Sequence, residues 1–202
     1  MVLLSVALVS YGVTLSSEPE IVFPQGLAAG APYHSMTHSA APVRLLVPSK
    51  GIDAPVVDIS VTNSVLEPPA DFHEVGWWDQ SAKVGASSGQ TVITGHTVHT
   101  GGGSMNNLPK VRVGDAIDIV TPQGKMRYVA ERVQVLSKDD VAKRAHELFG
   151  QDRGNGRLVL ITCTNWNGIF YPDNVVVFGK PLGIPTTDKN QREAQSKLTT
   201  SR

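Results

Sequence analysis

Seven short runs rich in valine and isoleucine, each bounded by turn residues, constrain the fold of this chain more than any other feature. β-Branched residues favour extended strands, and residues such as Pro, Gly and Asn separate one strand from the next. The predicted strands are Val43–Ser49, Ala54–Ser60, Gln90–Gly95, Ala116–Thr121, Arg127–Leu136, Arg157–Thr162 and Asn174–Gly179. This pattern predicts a mostly β fold, a closed or nearly closed barrel of seven to eight strands.

Helical periodicity is clear in one stretch, Asp139–Phe149. Its acidic first turn suits a helix N-terminus, and Val141, Ala145 and Leu148 recur on one face. A second stretch, SMNNLP, forms at most one turn because Pro109 ends it. We therefore expect one or two short helices, the longer of which covers the barrel.

The two ends of the chain differ in composition from its centre. Residues 1–17 carry no charge and are roughly 25 Å long as a helix, which predicts a membrane anchor or signal segment, with a buried N-terminal helix or strand as the alternative. Residues 18–42 are rich in Pro, Gly, Ala and Ser and predict a flexible linker. Residues 43–184 form the predicted folded domain, and 185–202 a polar tail. We expect this domain to lie outside the cytoplasm, anchored to the membrane.

Charge and cysteine content exclude other classes of protein. Eighteen basic and eighteen acidic residues cancel to a formal charge of zero, so no strong positive field attracts nucleic acid. With one cysteine in the chain, an internal disulfide framework is excluded.

That single cysteine, Cys163, directly follows a predicted strand and is a candidate nucleophile. A reactive thiolate needs a nearby base or cation and donors aimed at the developing oxyanion. His96 is the best-placed base, because it also directly follows a strand, and two adjacent strands ending at one rim would bring the side chains together. The less favourable histidines are His34, His38, His73 and His146. Two alternatives stay open: a lone cysteine at a strand end is often a core residue, and a Gly-His pair is often a turn.

Four segments add a more specific signal: VRLLVPSKGIDAPVVDI (43–59), LEPPADFHEVGWWDQSAKVG (66–85), TGH (94–96) and LITC (160–163). In this order they resemble the sortase family, the cysteine transpeptidases of bacterial surfaces. The first two resemble the opening strand pair and the Gly-Trp-Trp segment of actinobacterial class E and F enzymes, and the last two resemble the segments that carry the family's histidine and cysteine. The resemblance implies a sortase-like β-barrel over residues 43–184.

The resemblance also implies a reaction. Cys163 would attack the threonine carbonyl of a Leu-Pro-x-Thr-Gly-like sorting signal on a secreted protein, leaving a thioacyl enzyme, and His96 would act as acid and then base. The acceptor amine would come from a peptidoglycan precursor or a pilin lysine. The resemblance calls for neither a cofactor nor a metal.

One position departs from the family pattern. Sortases usually carry an arginine after the cysteine, where it binds substrate and steadies the oxyanion, but Pro172 stands in its place, and no Arg or Lys lies between Cys163 and Lys180. Asn174 is the nearest residue that could donate a hydrogen bond in place of the arginine. The alternative interpretation is that Asn174 is a turn residue at the start of a strand. Asn165 and Thr162 are the candidate substrate-binding residues. Two further functions therefore stay open: a catalytically weakened peptide-binding domain, and a thiol hydrolase that uses the same Cys-His pair.

Other residues permit weaker hypotheses. Trp77 and Trp78 would line a substrate groove or, as we favour, pack at a core edge. A metal site at His34 and His38 is disfavoured because nearby Gly and Pro residues argue against the helix that would place both on one face. A zinc site formed by His99 with His96 and Cys163 is disfavoured because it lacks a fourth ligand.

Overall fold

The β-strands of this protein close on themselves in the computed structural model, which describes residues 33–62, 65–152 and 154–185. The strands are β1 Tyr33–His34, β2 Arg44–Val47, β3 Ile52–Ile59, β4 Val61–Thr62, β5 Val65–Leu66, β6 Val75–Trp78, β7 Gly89–Gly95, β8 Ala116–Thr121, β9 Gly124–Ser137, β10 Asn155–Thr164 and β11 Asp173–Pro185. The helices are α1 Lys138–Lys143 and α2 Ala145–Phe149, and single 3-10 turns cover Pro48–Lys50 and Leu108–Lys110.

Eight of these strands form the barrel. Their order is β11-β10-β7-β6-β3-β2-β8-β9, and β9 pairs again with β11 to close the ring. The pairs β3–β6 and β7–β10 are parallel, while the other neighbours are antiparallel. The prediction of a mostly β barrel of seven to eight strands with one or two short helices is confirmed.

Strand β10 shows why the apolar runs fold in this way. Leu158 and Leu160 point into the barrel core, whereas Val159 and Ile161 belong to a second apolar cluster on the outer face. Leu148 of α2 joins this outer cluster and is fully buried. Because α2 covers the outer face of β10, this strand carries apolar side chains on both faces. Its sequence is therefore a continuous apolar run rather than an alternation of apolar and polar residues.

Two elements differ from the predicted ones. The predicted helix Asp139–Phe149 is two helices, because the chain leaves helical geometry at Arg144, whose φ is −102° and ψ is 16°. After this break the Leu148 side chain is buried in the outer cluster, and Val141 of α1 packs against the same cluster. Strand β6 was not among the predicted strands, since Val-Gly-Trp-Trp is too short to show a period.

Residues 33–42 pack against the barrel, although they belong to the predicted linker 18–42. Strand β1 pairs with the end of β11, Ala40 forms an isolated bridge with Val84, and Met36 is buried. The predicted anchor 1–17, residues 18–32 and residues 186–202 lie outside the described part of the chain. Within that part, no helix is both long and apolar enough to cross a membrane.

Candidate active site

Cys163 lies on the outer face of the barrel, near the end of β10. Side chains alternate along a strand, so it shares the face of Val159 and Ile161, and its thiol is half-buried. The sulfur borders a cavity of about 190 Å³ beneath the α1–α2 segment. The thiol is therefore outside the barrel core and beside an open space.

His96 follows β7 at the same rim. Because β7 and β10 are parallel and Thr94 pairs with Ile161, His96 and Cys163, each two residues beyond this last pair, lie at the same rim of the barrel. The His96 imidazole Nε2 lies 2.8 Å from the carbonyl oxygen of Pro69. A carbonyl only accepts hydrogen bonds, so Nε2 carries the proton in this arrangement and Nδ1 is left as the basic nitrogen.

Close packing fixes the end of β7 ahead of His96. The Thr162 hydroxyl donates to the Gly95 carbonyl at 2.7 Å and lies 2.9 Å from the Thr97 hydroxyl, which joins the ends of the two strands. A Cβ at position 95 would lie 2.8 Å from Cγ1 of Val75 and 2.9 Å from Oγ of Ser104. Only glycine fits there, which explains the Gly-His sequence at this rim.

Asn174 lies directly across from Cys163 in the antiparallel β10–β11 ladder. Its side-chain nitrogen is 4.0 Å from the Cys163 sulfur and 3.4 Å from the Thr162 carbonyl oxygen. An amide in this position can donate a hydrogen bond to a group that forms at the sulfur.

The two candidate substrate-binding residues are already engaged with protein groups. Asn165 adopts a left-handed conformation, φ 61°, and its amide donates to Asp173 at 2.7 Å. Thr162 is buried, and its hydroxyl contacts Gly95 and Thr97 as described above. Thr162 still lines the cavity next to the sulfur, and Asn165 begins the loop that leads away from it.

A longer apolar groove extends from the cysteine. A second cavity of about 700 Å³ lies between the β4–β5 hairpin and the helices. Leu66, Val141 and Phe149 line both cavities, so the two are adjacent; together they are called the groove, and Cys163 lines its inner part. Trp78 lines the outer part of this groove, whereas Trp77 is buried in the core.

Burial and charge act in opposite directions on the thiol. Burial raises the pKa of Cys163, and the nearby ammonium of Lys138 partly offsets that rise. Burial also raises the pKa of Tyr171, and the Cys163 thiolate adds to this effect, so the Tyr171 phenol stays protonated at neutral pH. Lys138 was missed at the level of sequence, because only the strand pairing brings it near the cysteine.

Metal-ligating side chains do not cluster in the described ranges, where no group of three or more His, Cys, Asp or Glu could hold an ion. His99 stacks on Trp166 instead, with ring centroids 4.3 Å apart and planes 5° from parallel.

Comparison with known proteins identifies the family. The sortase domain model matches residues 45–182, which is more than half of the chain. The chain belongs to the sortase family. The match confirms the resemblance found in the sequence, while the placement near classes E and F stays a prediction.

Solved sortases share the fold. Sortase C-1 from Actinomyces oris is 20% identical, covers 71% of this chain and 76% of its own, and has a TM-score of 0.54. Sortase C1 from Streptococcus agalactiae is 21% identical over 76% of this chain and 74% of its own, with a TM-score of 0.55. Sortase A from Corynebacterium diphtheriae is 18% identical over 76% of this chain and 66% of its own, with a TM-score of 0.56. A comparison with curated proteins finds no match.

Membership of this family supports a transpeptidase role in general. It also implies sorting-signal substrates and amine acceptors as classes, and a location outside the cytoplasm in association with the membrane.

Proposed function

We propose that the protein is a cysteine transpeptidase that cleaves a Leu-Pro-x-Thr-Gly-like sorting signal and transfers the acyl group to an amine. The observation that carries the proposal is a half-buried thiol, Cys163, at the inner end of an apolar groove and at the same barrel rim as His96.

The first half of the reaction forms a thioester. The Cys163 thiolate attacks the carbonyl carbon of the signal threonine, a C–S bond forms, and the carbonyl electrons move to oxygen. When this tetrahedral oxyanion collapses, the C–N bond to the following glycine breaks, and protonated His96 gives its proton to the leaving nitrogen. Asn174 is the proposed donor to the oxyanion, because its amide nitrogen lies 4.0 Å from the sulfur.

The second half releases the product. The acceptor amine attacks the thioester carbonyl, His96 takes a proton from its nitrogen, and the C–S bond breaks to restore the thiolate. The acceptor amine belongs to a peptidoglycan precursor or to a pilin lysine, so the product is either anchored to the cell wall or joined to a growing polymer.

The groove suits the apolar part of such a signal. Its lining is mainly aliphatic and aromatic, as Leu66, Val141 and Phe149 illustrate, and it ends at the sulfur. A leucine side chain buried there would gain about 1.5–3 kcal/mol from leaving water. Asn165 and Thr162 border the reacting end, where the backbone of the signal would contact them.

The substrates are secreted proteins that carry the signal, and the enzyme acts outside the cytoplasm. The uncharged segment 1–17 would hold it at the membrane, residues 18–42 would connect that segment to the domain, and 43–184 would form the catalytic domain, followed by the tail 185–202.

A second candidate is a catalytically weakened domain that binds the signal peptide, or a hydrolase that transfers the acyl group to water. Two observations favour it: Pro172 occupies the position where the family usually has an arginine, and burial raises the pKa of the Cys163 thiol. A higher thiol pKa leaves less thiolate at neutral pH.

Intact-mass analysis with a Leu-Pro-x-Thr-Gly peptide separates these functions. A transpeptidase gains the mass of the acyl group on Cys163, loses this adduct in Cys163→Ala, and gives an amine-linked product only when an amine is added. His96→Ala should slow both steps. Peptide binding without an adduct would instead support the weakened domain, and an adduct that water resolves equally well with or without amine would support the hydrolase.

A further inference from the structure

The acyl-transfer site needs a positive charge that the Cys163 strand and its loop do not provide. Both the thiolate and the oxyanion that follows it are negative, and a nearby cation stabilises each of them. No Arg or Lys occurs between Cys163 and Lys180, so the charge must come from another element.

The β9–β11 ladder brings one lysine toward this site. Asn174 pairs with Leu136 and Asp173 with Ser137 at the end of this ladder, and Lys138 follows Ser137 directly as the first residue of α1. Leu136 packs in the outer cluster, and Lys138 lines the outer cavity beside Val141, so both lie on the outer side of the barrel, where Cys163 is found. The Lys138 backbone lies two strand spacings, about 10 Å, from β10, a gap that the long lysine side chain can largely span.

The Lys138 side chain extends toward the loop between β10 and β11, which follows Cys163. Its Nζ lies 5.9 Å from the ring centroid of Phe170, which belongs to the loop between β10 and β11. Lys138 also lines the outer part of the groove that ends at Cys163. Within the described residues Lys138 forms no ion pair, whereas Arg132 and Arg144 on the neighbouring elements are both paired with Glu147.

Other titratable groups around the sulfur do not supply this charge. In the proposed reaction His96 is positively charged only until it gives its proton to the leaving nitrogen, so it supplies no permanent charge, and Tyr171 is neutral with its pKa raised by burial and then by the Cys163 thiolate. Asp173 on β11 accepts from Asn165, and Asp139 and Asp140 on α1 are exposed and negative.

We propose that Lys138 is the cation of the active site, placed at the start of α1 beside the end of the β9–β11 ladder so that its ammonium stabilises the Cys163 thiolate and the oxyanion of acyl transfer. This inference rests on the proposed transpeptidase function for the oxyanion, but its effect on the thiolate does not require any substrate.

The test is the pH dependence of Cys163 alkylation by iodoacetamide in the full chain, followed by mass. Without the ammonium the thiol pKa rises, so in Lys138→Met the midpoint of the rate profile moves to higher pH. At pH 7 and low salt we expect alkylation to be about 2- to 5-fold slower than in wild type, and added salt should shrink this difference. Lys138→Arg keeps the charge and should retain the wild-type profile.

Lys143→Met is the matched control, because Lys143 is an exposed lysine of the same helix and ends it on the next turn. A Lys138→Met profile that coincides with that of Lys143→Met overturns the proposal, as does a Lys138→Arg profile shifted as far as that of Lys138→Met. Should Lys138→Met not fold, the wild type still decides: no slowing of alkylation with rising salt also overturns it. Absence of an acyl adduct with the signal peptide, by contrast, would reject the proposed function and leave the alkylation result standing.

Discussion

At the scale of single residues, Asn174 places a side-chain donor 4.0 Å from the Cys163 sulfur. Its amide also lies 3.4 Å from the Thr162 carbonyl, which holds the side chain over the end of β10. An amide that is already in position before the reaction stabilises the oxyanion without having to move. This preorganisation is the usual reason why oxyanion donors have large effects on the reaction rate.

Asn174→Ala should therefore slow thioacyl formation by about 10²–10³-fold, with little change in melting temperature. Stopped-flow or quenched-flow mass measurement of the adduct gives the rate. Asn165→Ala is the comparison, because the Asn165 amide is already engaged by Asp173 at 2.7 Å, and we expect it to raise the KM for the signal peptide more than it lowers the rate. An unchanged rate in Asn174→Ala would remove this residue from the site and leave it a strand-opening turn residue.

At the scale of elements, the groove wall depends on a buried glutamine of β7. Gln90 is fully buried, and its amide nitrogen donates to the carbonyls of Glu147 at 3.1 Å and Gly150 at 2.9 Å, while its oxygen accepts from Arg157 at 2.7 Å. One side chain thus attaches the end of α2 to the barrel. Phe149, which lies between those two carbonyls in sequence, lines both cavities of the groove.

Gln90→Leu should leave the Gly150 carbonyl without its donor and the Glu147 carbonyl with Arg157 as its donor, and should lower the free energy of unfolding by about 2 kcal/mol. The loosened wall should raise the KM for the signal peptide more than it lowers kcat. Urea denaturation and steady-state kinetics measure the two effects. Gln123→Leu, an exposed glutamine in the turn before β9, is the control, and equal behaviour of the two variants would show that α2 is held by other contacts.

The elements also show how far the sequence alone predicts this structure. Val- and Ile-rich runs located seven of the barrel strands because burial on at least one face requires such residues. Strand β6 was missed because its four residues, Val75–Trp78, are three buried residues followed by a half-buried one and so carry no alternation. The helix break at Arg144 was missed because it depends on where Leu148 meets the outer cluster, which is a tertiary contact.

Within the site, the limit is strand pairing. That Cys163 and His96 share a rim is a prediction from two strands that end just before them, and the parallel β7–β10 pairing is the arrangement this prediction requires. The position of Lys138 was not predictable, because it follows from the β9–β11 register, in which Asp173 pairs with Ser137, 36 residues earlier, and no local sequence pattern specifies that partner.

At the scale of the whole molecule, buried charge pairs make the barrel sensitive to acid. The Asp118 carboxylate is almost fully buried and accepts from Arg127 at 2.6 and 2.8 Å. Burial alone would raise the pKa of Asp118, but hydrogen bonds and charge from Arg127 and Lys125 lower it below its ordinary value. A carboxyl group whose pKa is lower in the folded state than in the unfolded state stabilises the fold at pH values above the unfolded-state pKa, which is about 3.9. This stabilisation is lost as the pH falls from there through the folded-state pKa.

We therefore expect wild-type stability to decline as the pH falls below about 4. Asp118→Asn should be about 2 kcal/mol less stable at pH 7, because Arg127 loses a charged acceptor, and should show a flatter decline in acid. Urea denaturation across pH 2–7 measures both. The same acid slope in wild type and Asp118→Asn would assign the sensitivity to other carboxylates, of which Asp115 beside Lys50, also with a lowered pKa, is the next candidate.

The limits of the folding unit are a second property of the whole molecule. The composition of residues 18–42 predicts that the domain begins at 43, yet residues 33–42 make contacts expected to stabilise it. Met36 is 9% exposed and meets Gly85, and Ala40 exchanges two backbone hydrogen bonds of 3.0 Å with Val84. Residues 33–42, here called the strap, have a loop-like composition because polar residues separate these contacts. A segment this short can pack against the barrel with few apolar residues.

A fragment of residues 33–185 should consequently melt above one of residues 43–185. Burial of the Met36 side chain alone contributes about 1.5–3 kcal/mol, which corresponds to a difference of roughly 3–12 °C for a domain of this size. Calorimetry of the two fragments measures it, and Met36→Ala in the longer fragment should account for most of the loss. Equal melting temperatures would mean that the strap adds no net stability, so that the energetic boundary lies at residue 43 where the composition changes.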